Sequence, residues 1–172
     1  APASLGLEDA SVSFGHLAID PQNPTTLYIG GYLGVFRSTN SGGIWKAVNS
    51  TPADQATTSL AVAPHTGNVY AGTAARLVPD SQGVLRSSDR GASWQASKAG
   101  LNASFVNSLA PDPSAAGRWL VSLDAGGPLR TETSGGTWSA WPTRAARARS
   151  RAAASGGTGA MRSTTPSASR VS

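Results

Sequence analysis

The chain has 172 residues and no cysteine, which excludes a disulfide framework, a thiolate nucleophile and a cysteine-based zinc site. Its two histidines, His16 and His65, are too few for a multi-histidine metal cage, and no apolar run could span a membrane, so we expect no metal, no cofactor and no membrane span. The net charge of +5 belongs to residues 142–172, which hold six arginines and no acid. Residues 1–141 hold eight basic and nine acidic residues, and we therefore expect no nucleic-acid binding by this domain.

The first part of the domain predicts four short strands joined by tight turns. An apolar run at residues 17–20 ends at Pro21, a second run at 27–29 ends at glycine, and a third begins at residue 34. A glycine-rich turn follows, and we expect the fourth strand to begin at Trp45. Runs this short, separated by Gly and Pro, are typical of β-strands.

This unit occurs three times along the chain, with spacings of 49 and 44 residues. Four strands per unit of this length is the period of a β-propeller blade. We therefore predict an all-β fold of about three four-stranded antiparallel blades, forming a partial propeller. The matching segments are 17–21, 60–64 and 109–113; 27–30, 69–72 and 119–122; and 34–45, 83–94 and 127–138.

The turn between the third and fourth strands has the same composition in each unit. A glycine supplies positive φ, an Asn or Asp two residues earlier can bind turn amides, a hydroxyl residue adds further bonds, and a buried Trp anchors the hairpin. Thr133 suits the second role less well than Asn or Asp. The residues with these roles are Ser38, Asn40, Gly42 and Trp45; Ser87, Asp89, Gly91 and Trp94; and Thr131, Thr133, Gly135 and Trp138.

These turns resemble the Ser-x-Asp-x-Gly-x-Thr-Trp pattern of the Asp-box, also called the bacterial neuraminidase repeat (BNR). The family includes sialidases, xyloglucanase-type glycoside hydrolases, sortilin-like receptors and a photosystem II assembly factor family. The resemblance covers residues 6–141, although Asn40 and Thr133 replace the acid. It implies a β-propeller in residues 1–141, and it favours an extracellular or periplasmic location. The blades implied are 11–49, 57–98 and 104–141.

The beginning of the chain resembles a link between two blades. Gly6 and Leu7 match Gly100 and Leu101, which connect the second unit to the third. Because propellers typically use about four to eight blades, three cannot close a ring. We expect a fragment of a larger propeller, or self-association if only three blades exist.

The tail, residues 142–172, lacks the repeat and is rich in Arg, Ala and Ser. Such a segment buries too little apolar surface to offset its ordering entropy, so we predict disorder. The simultaneous loss of repeat, acids and aromatics also fits an out-of-frame translation, which the parent gene sequence would decide.

Catalytic candidates are few. Retaining glycosidases need two carboxylates about 5 Å apart. Asp124 loosely resembles an Asp-x-Gly-Gly aspartate of xyloglucanase-type propellers, but a turn aspartate is the favoured interpretation, and no partner carboxylate is evident. Arg37, Arg86 and Arg130 recur once per unit, which indicates a structural role. Arg76 and Arg118 remain candidates for ligand contacts.

Two classes of function follow from the sequence. The favoured one is a non-catalytic propeller that binds a protein or glycan on one face. The alternative is part of a glycoside hydrolase, of exo-sialidase or xyloglucanase type, whose catalytic groups lie mostly outside this chain.

Overall fold

The computed structural model describes residues 6–7, 14–48, 55–75, 83–101 and 105–142. Within these ranges, twelve strands form three separate four-stranded sheets, and each sheet is an antiparallel meander in chain order. This confirms the predicted all-β architecture. Sheet 1 contains β1 (Phe14–Ile19), β2 (Leu27–Gly31), β3 (Gly34–Ser38) and β4 (Lys46–Ala47); sheet 2 contains β5 (Gln55–Val62), β6 (Val69–Ala75), β7 (Val84–Ser87) and β8 (Gln95–Ala96); sheet 3 contains β9 (Val106–Pro111), β10 (Trp119–Leu123), β11 (Leu129–Thr131) and β12 (Ser139–Ala140).

The predicted tail and several predicted boundaries fall outside this description. Of residues 142–172 only Pro142 is described, and the ends of the predicted blades at 11, 49 and 104 are not. The proposed limits of the blades and of the tail therefore stay predictions.

The first strand of every sheet contains a register shift near its beginning. The pairing of β1 with β2 skips Gly15, that of β5 with β6 skips Thr58, and that of β9 with β10 skips Asn107. These three residues occupy the same position in the repeat. An extra residue of this kind bends its strand and redirects the neighbouring side chains. The first strands of the three sheets are therefore bent at the same position, near their beginnings.

Successive sheets pack face to face through two apolar cores, and sheet 2 is covered on both faces. Alternate residues of a strand point to the same face of its sheet, so each strand supplies a row of side chains to the core on that face. The core between sheets 1 and 2 contains Ala18, Tyr28, Val35, Val48, Val62, Val69, Ala71 and Leu85. The core between sheets 2 and 3 contains Ala63, Tyr70, Val84, Val106, Leu109, Trp119, Val121, Leu129 and Trp138.

The fourth strands and their tryptophans differ in detail from the prediction. Each fourth strand begins one residue after the Trp, because the indole packs beside the turn before the chain joins the ladder. Trp45 and Trp138 are 6% and 4% exposed, but Trp94 is only half-buried. The indole of Trp94 is therefore less completely buried than those of its two counterparts.

Candidate functional site

A cleft of about 390 Å³ opens at the end of the molecule where the first strands bend. We call it the inner-strand cleft. Two of the skipped residues, Gly15 and Thr58, line it directly, and the Thr58 hydroxyl donates a hydrogen bond to the Val106 carbonyl of sheet 3. All three sheets therefore meet here. The lining residues are Gly15, His16, Gly31, Tyr32, Ala56, Thr57, Thr58, Ala74 and Phe105.

Two aromatic side chains give the inner-strand cleft its binding chemistry. Tyr32 is 45% exposed and Phe105 is 41% exposed, which is unusual for rings of this size in a small domain. The backbone of Phe105 pairs with Ala74 of β6, and this bridge holds the ring at the rim. Half-buried His16 adds an imidazole. The cleft can therefore present apolar ring faces beside polar groups, an arrangement typical of ligand sites.

Asp124 lies beside this cleft but does not line it. It is exposed in the loop between β10 and β11, and its backbone N–H donates to the Phe105 carbonyl at 3.3 Å. The following Gly126 and Gly127 adopt positive φ, with open space around them. The loop therefore offers room for a ligand. Among the described residues that line the cleft, none carries a carboxylate.

The twelve turn residues form one repeated hydrogen-bond pattern. In the first turn Ser38 Oγ accepts from the Gly42 N–H at 3.0 Å and donates to Asn40 Oδ1 at 2.8 Å, while the Ile44 N–H donates to the same Oδ1 at 2.8 Å. The residue before the glycine, Ser41, also has positive φ. The second turn repeats this arrangement through Ser87, Asp89, Gly91 and Ser93, and the third through Thr131, Thr133, Gly135 and Thr137.

The turn aspartate differs electrostatically from its two counterparts. The Ser93 hydroxyl donates to Asp89 Oδ2 at 2.5 Å and the Ser93 N–H donates to Oδ1 at 2.8 Å. With a further bond from Ser87, these donors lower the pKa of Asp89 from 3.8 to about 2. The charge is satisfied within the turn, so this carboxylate serves the hairpin.

Two of the repeated arginines contact a backbone carbonyl or a carboxylate. Arg37 Nη1 donates to the Arg90 carbonyl of sheet 2 at 2.7 Å, and Arg130 Nη1 lies 3.3 Å from Glu132 Oε1. Arg86 Nε is buried without a hydrogen-bond partner in the described ranges. None of the three lines the inner-strand cleft.

The remaining charged candidates lie in turns or outside the described residues. Arg118 forms an ion pair with Asp112 at 3.1 Å, so its guanidinium is engaged away from the cleft. Asp112 Oδ1 in turn accepts from the Ser114 N–H, and Ser114, followed by Arg118, lowers the pKa of this carboxyl. Arg76 lies outside the described ranges.

The other polar groups give no sign of a metal site. His65 Nε2 lies 3.0 Å from the Pro113 carbonyl, a contact between neighbouring turns. No group of three or more His, Asp or Glu residues in the described part of the chain could hold a metal ion. The same residues contain no helix with the length and apolar character required to cross a membrane.

Sequence reasoning missed the inner-strand cleft because its walls come from all three units. The cleft could have been found from its two aromatic residues. Tyr32 follows Gly30-Gly31, and Phe105 directly precedes β9, the first strand of sheet 3. Neither aromatic belongs to the repeat pattern, and a departure from a repeat is where specific function can reside.

No protein-family model matches the chain, and neither does any curated protein. Solved structures do match. The GH74 xyloglucanase from Xanthomonas campestris superposes with a TM-score of 0.61 at 21% identity, over 80% of this chain and 25% of that chain. The GH74 enzyme from Niastella koreensis gives 0.58 at 20% identity, over 74% and 22%. YCF48 from Cyanidioschyzon merolae gives 0.56 at 17% identity, over 81% and 40%.

The chain thus spans between about a fifth and two fifths of the length of these structures. At such identities the likeness concerns the fold alone. The three stacked sheets are those of a β-propeller, and the similar structures include both GH74 enzymes and YCF48.

Proposed function

We propose that this chain is an Asp-box β-propeller segment that acts as a non-catalytic binding scaffold, with a protein or glycan ligand seated in the inner-strand cleft. The observation that carries the proposal is the exposed pair Tyr32 and Phe105 in the inner-strand cleft, whose described lining residues include no carboxylate. Aromatic rings bind apolar side chains and sugar faces alike, whereas hydrolysis needs acidic groups at the reacting bond.

The engagement of Asp89, Asp112 and Glu132 supports a role in binding. Asp89 and Asp112 accept hydrogen bonds within their own turns, and Glu132 pairs with Arg130. Of the described acids, only Asp124 lies next to a cleft residue through its backbone. A structure of YCF48 bound to a D1 peptide is similar at a TM-score of 0.55 and 15% identity, over 74% of this chain and 40% of that chain, and it supports a peptide as a ligand.

A direct binding experiment tests the proposal. The probes are a xyloglucan oligosaccharide and a panel of unstructured peptides, and the readout is the change in backbone amide NMR shifts. We expect saturable shifts at Gly15, Tyr32 and Phe105. Removing one ring in Phe105→Ala should weaken binding about tenfold, the effect of losing one aromatic contact.

The matched control is Ile44→Ala, which removes an apolar side chain that is 48% exposed outside the cleft. It should leave the affinity unchanged. Equal weakening by both variants, or shifts that avoid the cleft, would contradict the assignment of this site.

The second candidate is a glycoside hydrolase segment, and the position of Asp124 beside Phe105 favours it. In this alternative Asp124 supplies one carboxylate and residues beyond this chain supply the other. Release of reducing sugar from xyloglucan by the parent protein, abolished by Asp124→Asn, would establish it. Activity that persists in Asp124→Asn would remove this residue from any catalytic role.

A further inference from the structure

A second cavity, of about 380 Å³, lies between sheets 2 and 3 beside the fourth strand of sheet 2. We call it the outer-turn cavity. One wall comes from β8 and residues 97–99, the other comes from residues 134–136 in the glycine-rich turn of sheet 3, and Arg86 of β7 also lines it. Both walls belong to one internal interface of the described chain.

A serine stands in this interface where the first interface has a valine. Val48 and Ser97 occupy the same position in the repeat, and the N–H of each donates to the third strand of its own sheet, at 2.9 and 2.7 Å. The Val48 side chain is buried and packs against Gly91 of the next sheet. Ser97 instead donates to the carbonyl of Gly135, the counterpart of that glycine. The second interface therefore has a smaller and polar side chain at this position.

The arginine of the second interface is also used differently from its counterpart. Arg37 Nη1 donates to the Arg90 carbonyl at 2.7 Å. Ser134 occupies the position of Arg90, and its carbonyl accepts from the Tyr70 hydroxyl at 3.0 Å. Burial raises the pKa of Tyr70 and the charge of Arg86 opposes this, which places the guanidinium near that hydroxyl. Since Arg86 Nε has no hydrogen-bond partner in the described residues, the guanidinium keeps donor capacity.

The outer-turn cavity is cationic, although residues 1–141 together are close to neutral. Arg86 and the exposed Lys98 both line it, and none of its described lining residues carries a carboxylate. The ion pairs of the described ranges include neither cation. Asp89 accepts hydrogen bonds within its own turn, and Glu132 is paired with Arg130. Two positive charges therefore line one cavity without a counter-charge from the described residues.

This combination of groups determines the class of ligand. A guanidinium offers a planar set of donors that matches a phosphate, and an ammonium adds a second point charge. The amide of Gln95, which also lines the outer-turn cavity, can donate a further hydrogen bond. The described lining residues include no aromatic ring, so a sugar would find here no stacking surface of the kind that the inner-strand cleft offers.

We propose that the outer-turn cavity binds a doubly charged tetrahedral oxyanion, a phosphate or sulfate group, through Arg86 and Lys98. The two charges of the anion match the two cations, and Ser97 leaves room for it where a valine would stand. The site is separate from the inner-strand cleft, and the proposal does not depend on the ligand of that cleft.

The first test is calorimetric titration of the full chain with inorganic phosphate and with sulfate. It is done at constant ionic strength and at about pH 8, where phosphate groups are doubly charged. We expect saturable binding of one anion per chain. Acetate should bind at least about tenfold more weakly, because a single charge can satisfy only one of the two cations. Failure of both tetrahedral anions to bind, or equal binding of acetate, would overturn the proposal.

A second ligand distinguishes the two sources of such a group. Glucose 6-phosphate carries the phosphate as an ester, whereas inorganic phosphate is the free anion. Tighter binding of the ester would support a ligand that presents the group on a larger molecule. Equal affinities would support the free anion as the ligand.

Removing the exposed cation tests the site with little risk to the fold. Lys98→Met should raise the dissociation constant of phosphate about tenfold, the effect of losing one charge-assisted contact. Lys46→Met is the matched control, since it removes one positive charge from an exposed position in β4, outside the outer-turn cavity. Equal weakening by the two variants would show attraction to the overall charge alone and would contradict the site.

The buried cation is tested by two substitutions. Arg86→Met should weaken phosphate binding about tenfold, and Arg86→Lys should weaken it less because it keeps the charge. Thermal unfolding shows whether each variant folds, and if Arg86→Met does not, Lys98→Met decides.

The position of the bound anion is read from backbone amide NMR shifts of the wild-type chain. Phosphate should shift the amides of Ser97 and Gly136, which line the outer-turn cavity. Residues 142–172 hold six arginines and are the competing site for an anion. Shifts confined to those residues would overturn the proposal.

Discussion

At the residue scale, three different side chains perform one task in the repeated turns. The oxygen of Asn40, of Asp89 and of Thr133 each accepts from the amide four residues further along, at 2.8, 2.8 and 3.1 Å. The task needs an acceptor on a short side chain, and a charge is optional. This explains how the sequence can depart from the acid in two of three turns and keep the same backbone geometry.

The charge at Asp89 predicts a pH dependence of stability. Because the folded pKa of about 2 lies below the ordinary value of 3.8, the folded state favours the ionised carboxyl. The contribution to stability is complete above the ordinary value and is lost as the pH falls towards the folded one. Urea unfolding between pH 2 and 6 should therefore show a smaller acid loss in Asp89→Asn than in wild type. Asp124→Asn removes an exposed charge outside the repeated turns and should leave the wild-type acid loss in place.

Two of the turn tryptophans, Trp94 and Trp138, should contribute differently to stability although they occupy the same position in the repeat. Trp138 Nε1 donates to the Ser97 carbonyl at 2.9 Å, whereas Trp94 Nε1 is buried without a hydrogen-bond partner in the described residues. Trp138→Phe should lose about 1 kcal/mol more stability than Trp94→Phe, since only the first substitution breaks a hydrogen bond. Chemical denaturation of both variants measures the difference, and an equal loss would contradict it.

At the scale of strands and sheets, neighbouring repeats are tied by tyrosine hydroxyls. Tyr28 and Tyr70 are fully buried and donate to turn carbonyls of the following sheet, at 3.3 and 3.0 Å. Burial raises the pKa of both phenols above 10, against the opposing effect of the nearby arginines. A buried phenol that stays protonated stabilises the fold below pH 10, and this contribution is lost as the pH rises past that value.

Removing one hydroxyl should therefore weaken the contact between two sheets. Tyr70→Phe should cost about 0.5–1.5 kcal/mol of unfolding free energy. Tyr28→Phe should cost less, because Arg37 continues to satisfy the Arg90 carbonyl at 2.7 Å. Urea unfolding of the two variants measures the difference, and each variant serves as the control for the other because both lose the same hydroxyl. A larger loss of unfolding free energy in Tyr28→Phe would contradict the role given to Arg37.

The strands themselves were predictable from sequence, since short apolar runs between Gly and Pro determine them locally. The third strand of each sheet ends at Ser38, Ser87 or Thr131, where the glycine-rich turn of the repeat begins. The inner-strand cleft was not predictable, because it depends on bulges at Gly15 and Thr58 and on contacts between sheets. A local pattern cannot place residues that meet only after the sheets have packed.

At the scale of the whole molecule, the repeat determines how the three sheets stack. Each sheet contacts its neighbours in sequence, as expected for a quasi-one-dimensional array. The basic residues beyond the domain carry the excess charge, so the electrostatics of residues 1–141 are close to neutral. Surface interactions of the sheets therefore depend mainly on shape and apolar area.

The covering of sheet 2 on both faces has a kinetic consequence. Amide hydrogens of β6 should exchange with deuterium most slowly, and those of β1 and β10 faster. A strand of sheet 1 or sheet 3 can open by separating one core, whereas a strand of sheet 2 must separate two. Hydrogen-exchange mass spectrometry at high dilution measures this gradient. If β6 exchanged as fast as β1 and β10, the covering of sheet 2 on both faces would not determine the order of protection.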